Sequence, residues 1–337
     1  MKLTYKYRLY RSKRNSELHE TISLAGRAYN HCIALHQRYY KLSGKHLNAY
    51  ALMKHLAKLK RVPRFEWLKR IPSQALQEIP ERIDKAYKLF FKSAKGEIGI
   101  KVAPPSFKKV RKYKSFTLKQ AGWKLLEANK LKVGSYVYKL CQDRPIPADA
   151  QIKTVTIKRD VLGNLYACFS LVVPDPKPAP TSGKVAGFDF GLNMFLTRHD
   201  GQQIPSPEFF KVGMNEIAKL NRSLSRKVKG SNHWHKAKRA LAKAHMAIVN
   251  KRRDWFFKLA HRLTDEYDVL CFEDLNLRGM VRLWGRKVSD LAFATFVTIL
   301  QFVAQKKGKP EAGCFRPSLL PISKTCTTVA TSRKSWN

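Results

Sequence analysis

Hydrophobic spacing divides the chain into stretches of different secondary structure. Residues 2–10, KLTYKYRLY, alternate apolar and polar side chains and predict a strand. Residues 16–94 repeat apolar positions at helical intervals, which predicts a set of helices. Short alternating runs fill residues 115–173, with VLGNLY as the turn of a hairpin. These patterns predict a small β-barrel that carries a helical insertion between its first and second strands.

A proline-rich linker, PDPKPAPTSGK at residues 174–184, marks the predicted domain boundary. After it, two strands joined by a tight Gly-Leu-Asn turn lead into helical spacing that continues to about residue 267. The segment KVKGSNH at residues 227–233 interrupts that spacing, so we predict a hairpin of two helices. A strand, DVLCFEDL, and a helix around residues 291–304 follow. The expected fold is a multidomain protein of the α+β and α/β classes.

An excess of basic residues indicates the kind of partner. The sequence holds 66 Lys and Arg against 24 Asp and Glu, a net charge of +42 that is spread along its whole length. Self-repulsion of this size disfavours a compact chain unless a polyanion neutralises it. Nucleic acid is the obvious polyanion, because each neutralised phosphate releases a counterion and adds affinity. A ribosomal-type protein, or one that is merely very soluble, is the alternative.

Two basic stretches supply candidate contacts to nucleic acid. In SFKKVRKYKSF, cations that can meet phosphates alternate with Phe107, Tyr113 and Phe116, which can stack on bases. These aromatic residues can equally belong to a core, and for Phe116 we expect the core. The polar faces of the predicted helical hairpin carry further cations. The candidate residues are Lys108, Lys109, Arg111, Lys112, Tyr113, Lys236, Arg239, Lys243, Lys251, Arg252 and Arg253.

Signals for export or membrane insertion are absent from the sequence. The N-terminus, MKLTYKYRLYRSKR, lacks the apolar region of a signal peptide, and the apolar run at residues 291–304 is too short to cross a bilayer. Six cysteines are scattered singly, and no pair has the spacing of a metal or redox motif. We therefore expect a cytoplasmic protein that has no membrane partner.

Two acidic residues stand at the ends of apolar strands in this basic chain. Asp189 ends VAGFD, and Glu273 ends VLCFE with Asp274 directly after it. The order strand, Asp, hairpin, helices, strand, Glu is that of RNase H-like nucleases, in which carboxylates on neighbouring strands hold two divalent metals. Carboxylate oxygens suit Mg²⁺ or Mn²⁺. Two unrelated acids at strand ends remain the alternative.

The string DFG, which begins at Asp189, also matches a protein-kinase motif. A kinase would need a glycine-rich loop, a Val-Ala-Ile-Lys element and a His-Arg-Asp element ahead of it. None of these precedes Asp189 in the sequence, so the kinase interpretation fails.

Six segments, taken in order, resemble the TnpB (OrfB) proteins of insertion sequences, which are relatives of the type V CRISPR effectors. They are KLTYKYRLY, AYNHCIALHQRYY, SFKKVRKYKSF, AGFDFGLNMFLT, NKRRDWFFKLAHRLTDEYDVLCFEDLNLRGM and SKTC. The resemblance extends over essentially the whole chain to residue 326. The resemblance implies a wedge-like β-barrel at residues 1–15 and 96–176. It also implies a helical recognition insertion at residues 16–95 and a RuvC-like nuclease domain at residues 183–337.

Function and site residues follow from the same resemblance. Asp189 and Glu273 would be the first and second RuvC carboxylates and would hold Mg²⁺ or Mn²⁺. The partners would be a guide RNA from the transposon end and a double-stranded DNA target. The cell would be bacterial or archaeal, with the protein in the cytoplasm at the nucleoid.

The sequence departs from that family near residue 326. In the family a third carboxylate follows a zinc module of paired Cys-x-x-Cys motifs, whereas no Asp or Glu occurs here after Glu311. Cys326 matches the first zinc ligand, but TCTTVATSRKSWN supplies no second one, so only a remnant of the Zn²⁺ site is expected at residues 314–337. A one-nucleotide frameshift can recreate Cys-x-x-Cys-Gly after Cys326, and it is the expected origin of a truncated nuclease domain.

Loss of the third acid changes the expected activity. Two carboxylates hold a pair of metal ions poorly. Asp274 should not help, because successive strand residues face opposite sides of a sheet. We therefore expect guide-RNA and DNA binding with impaired cleavage. A nuclease-dead RNA-guided repressor and a decayed reading frame are the alternatives.

Overall fold

A computed structural model describes residues 1–179, 182–273, 290–309 and 314–316, together with the isolated positions 282, 285 and 288. The chain divides into two compact units, Met1–Pro174 and Asp175–Asn337. The division falls at the start of the proline-rich segment at residues 174–184. Both units combine helices and strands, so the chain is an α+β multidomain protein.

The first unit contains a seven-stranded antiparallel sheet with the strand order β2-β6-β7-β1-β5-β4-β3. Every second residue of β7 is buried, as the alternating sequence predicts. No ladder joins β2 to β3 among the residues of this unit, so the predicted barrel is not closed by hydrogen bonds there. The strands are β1 (Lys2–Leu9), β2 (Ser115–Leu118), β3 (Trp123–Leu126), β4 (Lys130–Val133), β5 (Tyr136–Cys141), β6 (Gln151–Arg159) and β7 (Leu165–Val172).

Helices separate β1 from β2, which confirms the predicted insertion of helices between the first two strands. They share one core with the sheet, since Ile22 and Ile83 from helices are fully buried in the same cluster as Phe116 and Phe169 from strands. The helices are α1 (Asn15–Ser43), α2 (Ala49–Leu59), a 3-10 helix (Pro63–Arg70) and α3 (Ser73–Ala94), and a short 3-10 turn (Val110–Lys112) precedes β2.

The second unit contains a five-stranded sheet with the strand order β10-β9-β8-β11-β12. The central strands β8 and β11 are parallel to each other and to β12, whereas β9 and β10 are antiparallel. These strands are β8 (Val185–Asp189), β9 (Met194–Arg198), β10 (Gln203–Pro205), β11 (Val269–Glu273) and β12 (Cys314–Arg316).

Three helices of the second unit are described. The predicted hairpin of two helices is confirmed as α4 (Phe209–Ser225) and α5 (Asn232–Glu266), and the helix near residue 300 is α6 (Phe293–Lys306). An aromatic core that includes Phe195, Phe256 and Phe296 joins α5 and α6 to the sheet. None of the described helices is both long and apolar enough to cross a membrane.

Candidate functional site

Asp189 and Glu273 stand at the same end of two neighbouring strands. Strands β8 and β11 run parallel, and their register pairs Phe188 with Phe272. One step further along that register, Asp189 lies beside Glu273. Paired residues of parallel strands project to one face of a sheet, and neighbouring strands lie about 4.8 Å apart. The prediction that the two acids lie on adjacent strands is therefore confirmed, while the approach of their carboxylates stays a prediction.

The aromatic core explains why these acids face outward. The Phe188 and Phe272 rings stack with centroids 5.4 Å apart, and the Phe190 ring stacks on Phe272 at 5.3 Å. Burial of these three rings fixes which face of the sheet meets the core. The alternating residues Asp189 and Glu273 then project to the other face, where Asp189 is exposed and Glu273 is half-buried.

A close backbone approach fixes the turn that follows Asp189. A Cβ atom on Gly191 would stand 2.7 Å from the carbonyl oxygen of Met194, closer than real Cβ contacts allow. Glycine thus lets the chain reverse at once, and β9 returns with Thr197 opposite Asp189. The predicted hairpin is confirmed, and the absent side chain at residue 191 is what permits its tight geometry.

Within the described residues, the site offers only part of a metal-binding ligand set. The oxygen donors of Asp189 and Glu273 suit Mg²⁺ or Mn²⁺. No group of three or more His, Cys, Asp or Glu side chains within the described residues could hold a metal ion. Asp274 and Cys326 lie outside those residues, so their predicted roles stay predictions. At the next strand, the register places Arg316 beside Glu273.

Tyr113 corrects the prediction about base stacking. Its ring is only 3% exposed and packs against the Tyr29 ring with centroids 5.7 Å apart. Its hydroxyl accepts a hydrogen bond of 3.1 Å from Arg82. The prediction that Tyr113 stacks on bases is wrong, because the ring fills the space beside Gly26 inside the first unit. Phe116 is buried, as expected, whereas Phe107 is 56% exposed.

The cations around Tyr113 are exposed, but one of them is anchored. The Lys108 ammonium lies 4.6 Å from the centre of the Tyr29 ring. Partial burial, reinforced by the charge of Arg82, lowers the pKa of Lys108. The residues of this segment that present exposed cations without such an anchor are Lys109, Arg111, Lys112 and Lys114.

Helix α5 exposes all but one of its predicted contact residues. Arg252 is half-buried, and its guanidinium donates a 2.9 Å hydrogen bond to the Asp290 carbonyl oxygen. The Asp290 carboxylate in turn accepts from the Phe210 N–H at the start of α4. Arg252 therefore links α5 to Asp290 and, through the Asp290 carboxylate, to the start of α4. This contact corrects the assignment of Arg252 as an open phosphate contact. The exposed cations are Lys236, Arg239, Lys243, Lys251 and Arg253.

Known proteins resemble this chain over most of its length. A family model described as a probable transposase, OrfB_IS605, matches residues 168–283. A putative RNA-guided DNA endonuclease of Streptomyces pristinaespiralis is 27% identical over 337 residues, which cover 99% of this chain and 82% of that protein. The putative RNA-guided DNA endonuclease InsQ of Escherichia coli K12 is 28% identical over 266 residues, which cover 78% of this chain and 63% of InsQ.

A solved structure shares the fold. The protein in the cryo-EM structure of the Cas12f1-sgRNA-target DNA complex matches with a TM-score of 0.53 and 11% sequence identity. The match covers 97% of this chain and 79% of that one. At this identity the likeness concerns the fold alone.

Proposed function

We propose that this chain, which belongs to the OrfB (TnpB) family, is an RNA-guided DNA-binding protein of RuvC endonuclease ancestry whose cleavage activity is impaired. The observation that carries this proposal is the register that sets Asp189 beside Glu273 at the same end of parallel strands. Unrelated acids at strand ends have no reason to share a face and a register position. A cytoplasmic, nucleoid-associated location goes with this function.

The topology of the second unit supports an RNase H-like assignment. Its strand order, β10-β9-β8-β11-β12, places the two acid-bearing strands side by side at the centre of the sheet. Asp189 and Glu273 would hold Mg²⁺ or Mn²⁺ through carboxylate oxygens. The bound metals would supply activation of the attacking water and stabilisation of the leaving oxygen. The fixed strand ends and the Gly191 turn would orient the two carboxylates.

Charge balance supports impaired cleavage by a polypeptide of these 337 residues. Two carboxylates offset only half the charge of two divalent cations, and no further Asp or Glu follows Glu311 in the sequence. The single thiolate of Cys326 cannot make a four-ligand Zn²⁺ site. Binding draws on other residues, since the cations of residues 109–112 and of α5 are exposed and lie apart from the acids in sequence. The partners proposed are therefore a guide RNA and double-stranded DNA.

A cleavage assay tests this function directly. The 337-residue chain is incubated with a matched guide RNA, its DNA target and Mg²⁺, beside a version in which the downstream reading frame is restored. We expect strong cutting by the restored version alone. Efficient cutting by the short chain that Asp189→Ala abolishes would show that two acids suffice and would overturn the impairment. Cutting by neither version would favour a nuclease-dead repressor or a decayed reading frame.

A further inference from the structure

A groove of about 390 Å³ lies on the second unit between the edge strand β10 and helix α5. In the sheet it stands two strands away from β8, which carries Asp189. None of the nucleic-acid contacts predicted from the sequence lines it. The groove is lined by Gln203, Ile204, Pro205, Trp255, Lys258, Leu259 and Arg262.

Three polar side chains of this groove carry donors without a described acceptor. Among the described residues, the Trp255 indole N–H, the Arg262 guanidinium and the Gln203 side-chain amide have no hydrogen-bond or ion-pair partner. Lys258 pairs with Asp254 at 2.8 Å, but both side chains are well exposed, so water screens that pair. Donors and cations that line one groove, with no carboxylate among the lining residues, fit an anion, and a phosphate above all.

The rest of the lining fits a flat apolar group beside that anion. The Trp255 indole is half-buried and packs edge-on against the Phe195 ring at 5.0 Å and the Phe209 ring at 6.1 Å. Such packing holds the indole in one orientation before any ligand arrives. Ile204 and Leu259 add aliphatic surface. A fixed aromatic surface next to two cations is the arrangement that binds a nucleotide of an unpaired strand.

We propose that the groove binds one nucleotide of a single-stranded nucleic acid, with Arg262 and Lys258 at its phosphate and its base against Trp255. The strand must be unpaired, because a base within a duplex cannot reach the indole. The net charge of +42 favours a polyanion over an acidic peptide as the occupant. The site is new relative to the function proposed above, on which it rests only for the class of partner. RNA and DNA strands offer the same chemistry here.

Photo-crosslinking locates the contact. The full chain is irradiated with 5-iodouridine-labelled RNA, the matching 5-iododeoxyuridine DNA, or a blunt duplex, and the adducts are mapped by mass spectrometry. We expect an adduct at Trp255 with one or both single strands, absent with the duplex and lost in Trp255→Phe, which keeps the ring packing. An RNA-only or DNA-only adduct identifies the strand that occupies the site. Adducts only at residues outside the groove, or an equal yield at Trp255 with the duplex, would overturn the proposal.

Salt titration measures the phosphate contact. Arg262→Ala should reduce the slope of log affinity against log salt by about 0.7 for a single strand, the effect of one lost phosphate contact. Arg222→Ala on α4 is the matched control, since Arg222 is also exposed and its side chain has no described partner. Equal slopes in the two variants would reject the groove. A wild-type chain that binds neither RNA nor DNA would instead reject the proposed function, so the two failures are distinguishable.

Discussion

Tyr113 shows that a side chain can be buried in the core although its sequence context predicts an exposed position. Tyr113 stands among five cations in SFKKVRKYKSF, yet its ring is buried against α1 and its hydroxyl is bonded to Arg82. Burial raises the pKa of Tyr113 to about 12, although the charge of Arg82 opposes the shift. The neutral phenol is therefore a structural hydrogen-bond acceptor whose ring is buried in the first unit, while the neighbouring cations in the sequence are exposed.

Gly26→Ala tests this packing. A Cβ atom at residue 26 would stand 2.9 Å from the Tyr113 Cβ, which no side-chain rotation can move, and 3.0 Å from its Cγ. We expect the clash to outweigh the better helix propensity of alanine and to lower the free energy of unfolding by roughly 1–2 kcal/mol in urea titration. Gly99→Ala is the control, since nothing lies within 4 Å of its added Cβ. A stability of Gly26→Ala equal to that of the wild type would contradict the tight contact.

Helices and strands could be predicted where the spacing of hydrophobic residues within one segment defines them. Strand β1, the helical hairpin α4–α5 and the strands that end at Asp189 and Glu273 follow from periodicity of two or 3.6 residues, which needs no partner to be recognised. The in-register pairing of β8 with β11 depends on a contact between residues about eighty positions apart, and the sequence indicated it only through matching strand-end acids.

Contacts between distant elements determine the features of the fold and of the candidate site that the sequence did not predict. The buried place of Tyr113 depends on the absent side chain at Gly26, and the role of Arg252 depends on Asp290. The groove beside Trp255 needs an edge strand that lies some fifty residues away along the chain. Periodicity carries no information about such pairs. A cation or an aromatic ring in a basic segment is therefore predicted to be exposed, whether or not a distant residue packs against it in the fold.

Histidine pairs link elements of the first unit, and we expect them to make its stability depend on pH. The His31 and His55 Nε2 atoms are 3.0 Å apart between α1 and α2, and the His36 Nε2 lies 2.8 Å from the His46 Nδ1. Burial is the main cause that lowers the pKa of His31, His36 and His55. Neighbouring His55, His46 and Lys58 respectively add to it, while Asp84 opposes the shift of His36.

The sign of the pH effect follows from these lowered pKa values. Below the ordinary histidine pKa of about 6.5, the unfolded chain binds protons that the folded pairs resist, so stability present above that pH is lost as pH falls. We expect the melting temperature to drop between pH 7.5 and pH 5.5, with a smaller drop in His31→Asn. His235→Asn, at an exposed position on α5, should keep the wild-type pH dependence. An identical drop in all three proteins would exclude the pairs as its cause.

At the scale of the whole molecule, we expect the charge excess to govern binding to the proposed nucleic-acid partners. The net charge is +42, and most cations on α5 and around residue 110 have exposed side chains. If RNA is the partner, counterion release should make its affinity fall steeply with salt, by roughly a thousandfold or more between 50 and 200 mM when several phosphates are contacted. Such attraction is general, so position-specific effects must be separated from net charge.

Two triple charge reversals with the same net charge make that separation. Lys109, Arg111 and Lys112, each to Glu, remove three of the exposed cations around Tyr113, while Lys219, Arg222 and Lys227, each to Glu, remove three exposed cations on and just after α4. If residues 109–112 contact RNA, the first variant should lose much more affinity for structured RNA and show a shallower salt slope, because three local phosphate contacts vanish. Lys108 is kept, since its ammonium packs on Tyr29 and its loss would disturb folding.

Filter binding from 50 to 300 mM salt measures both the affinity for RNA and its salt slope. Equal losses would mean that bulk charge alone drives binding, and affinity that is flat in salt would refute a polyanionic partner altogether.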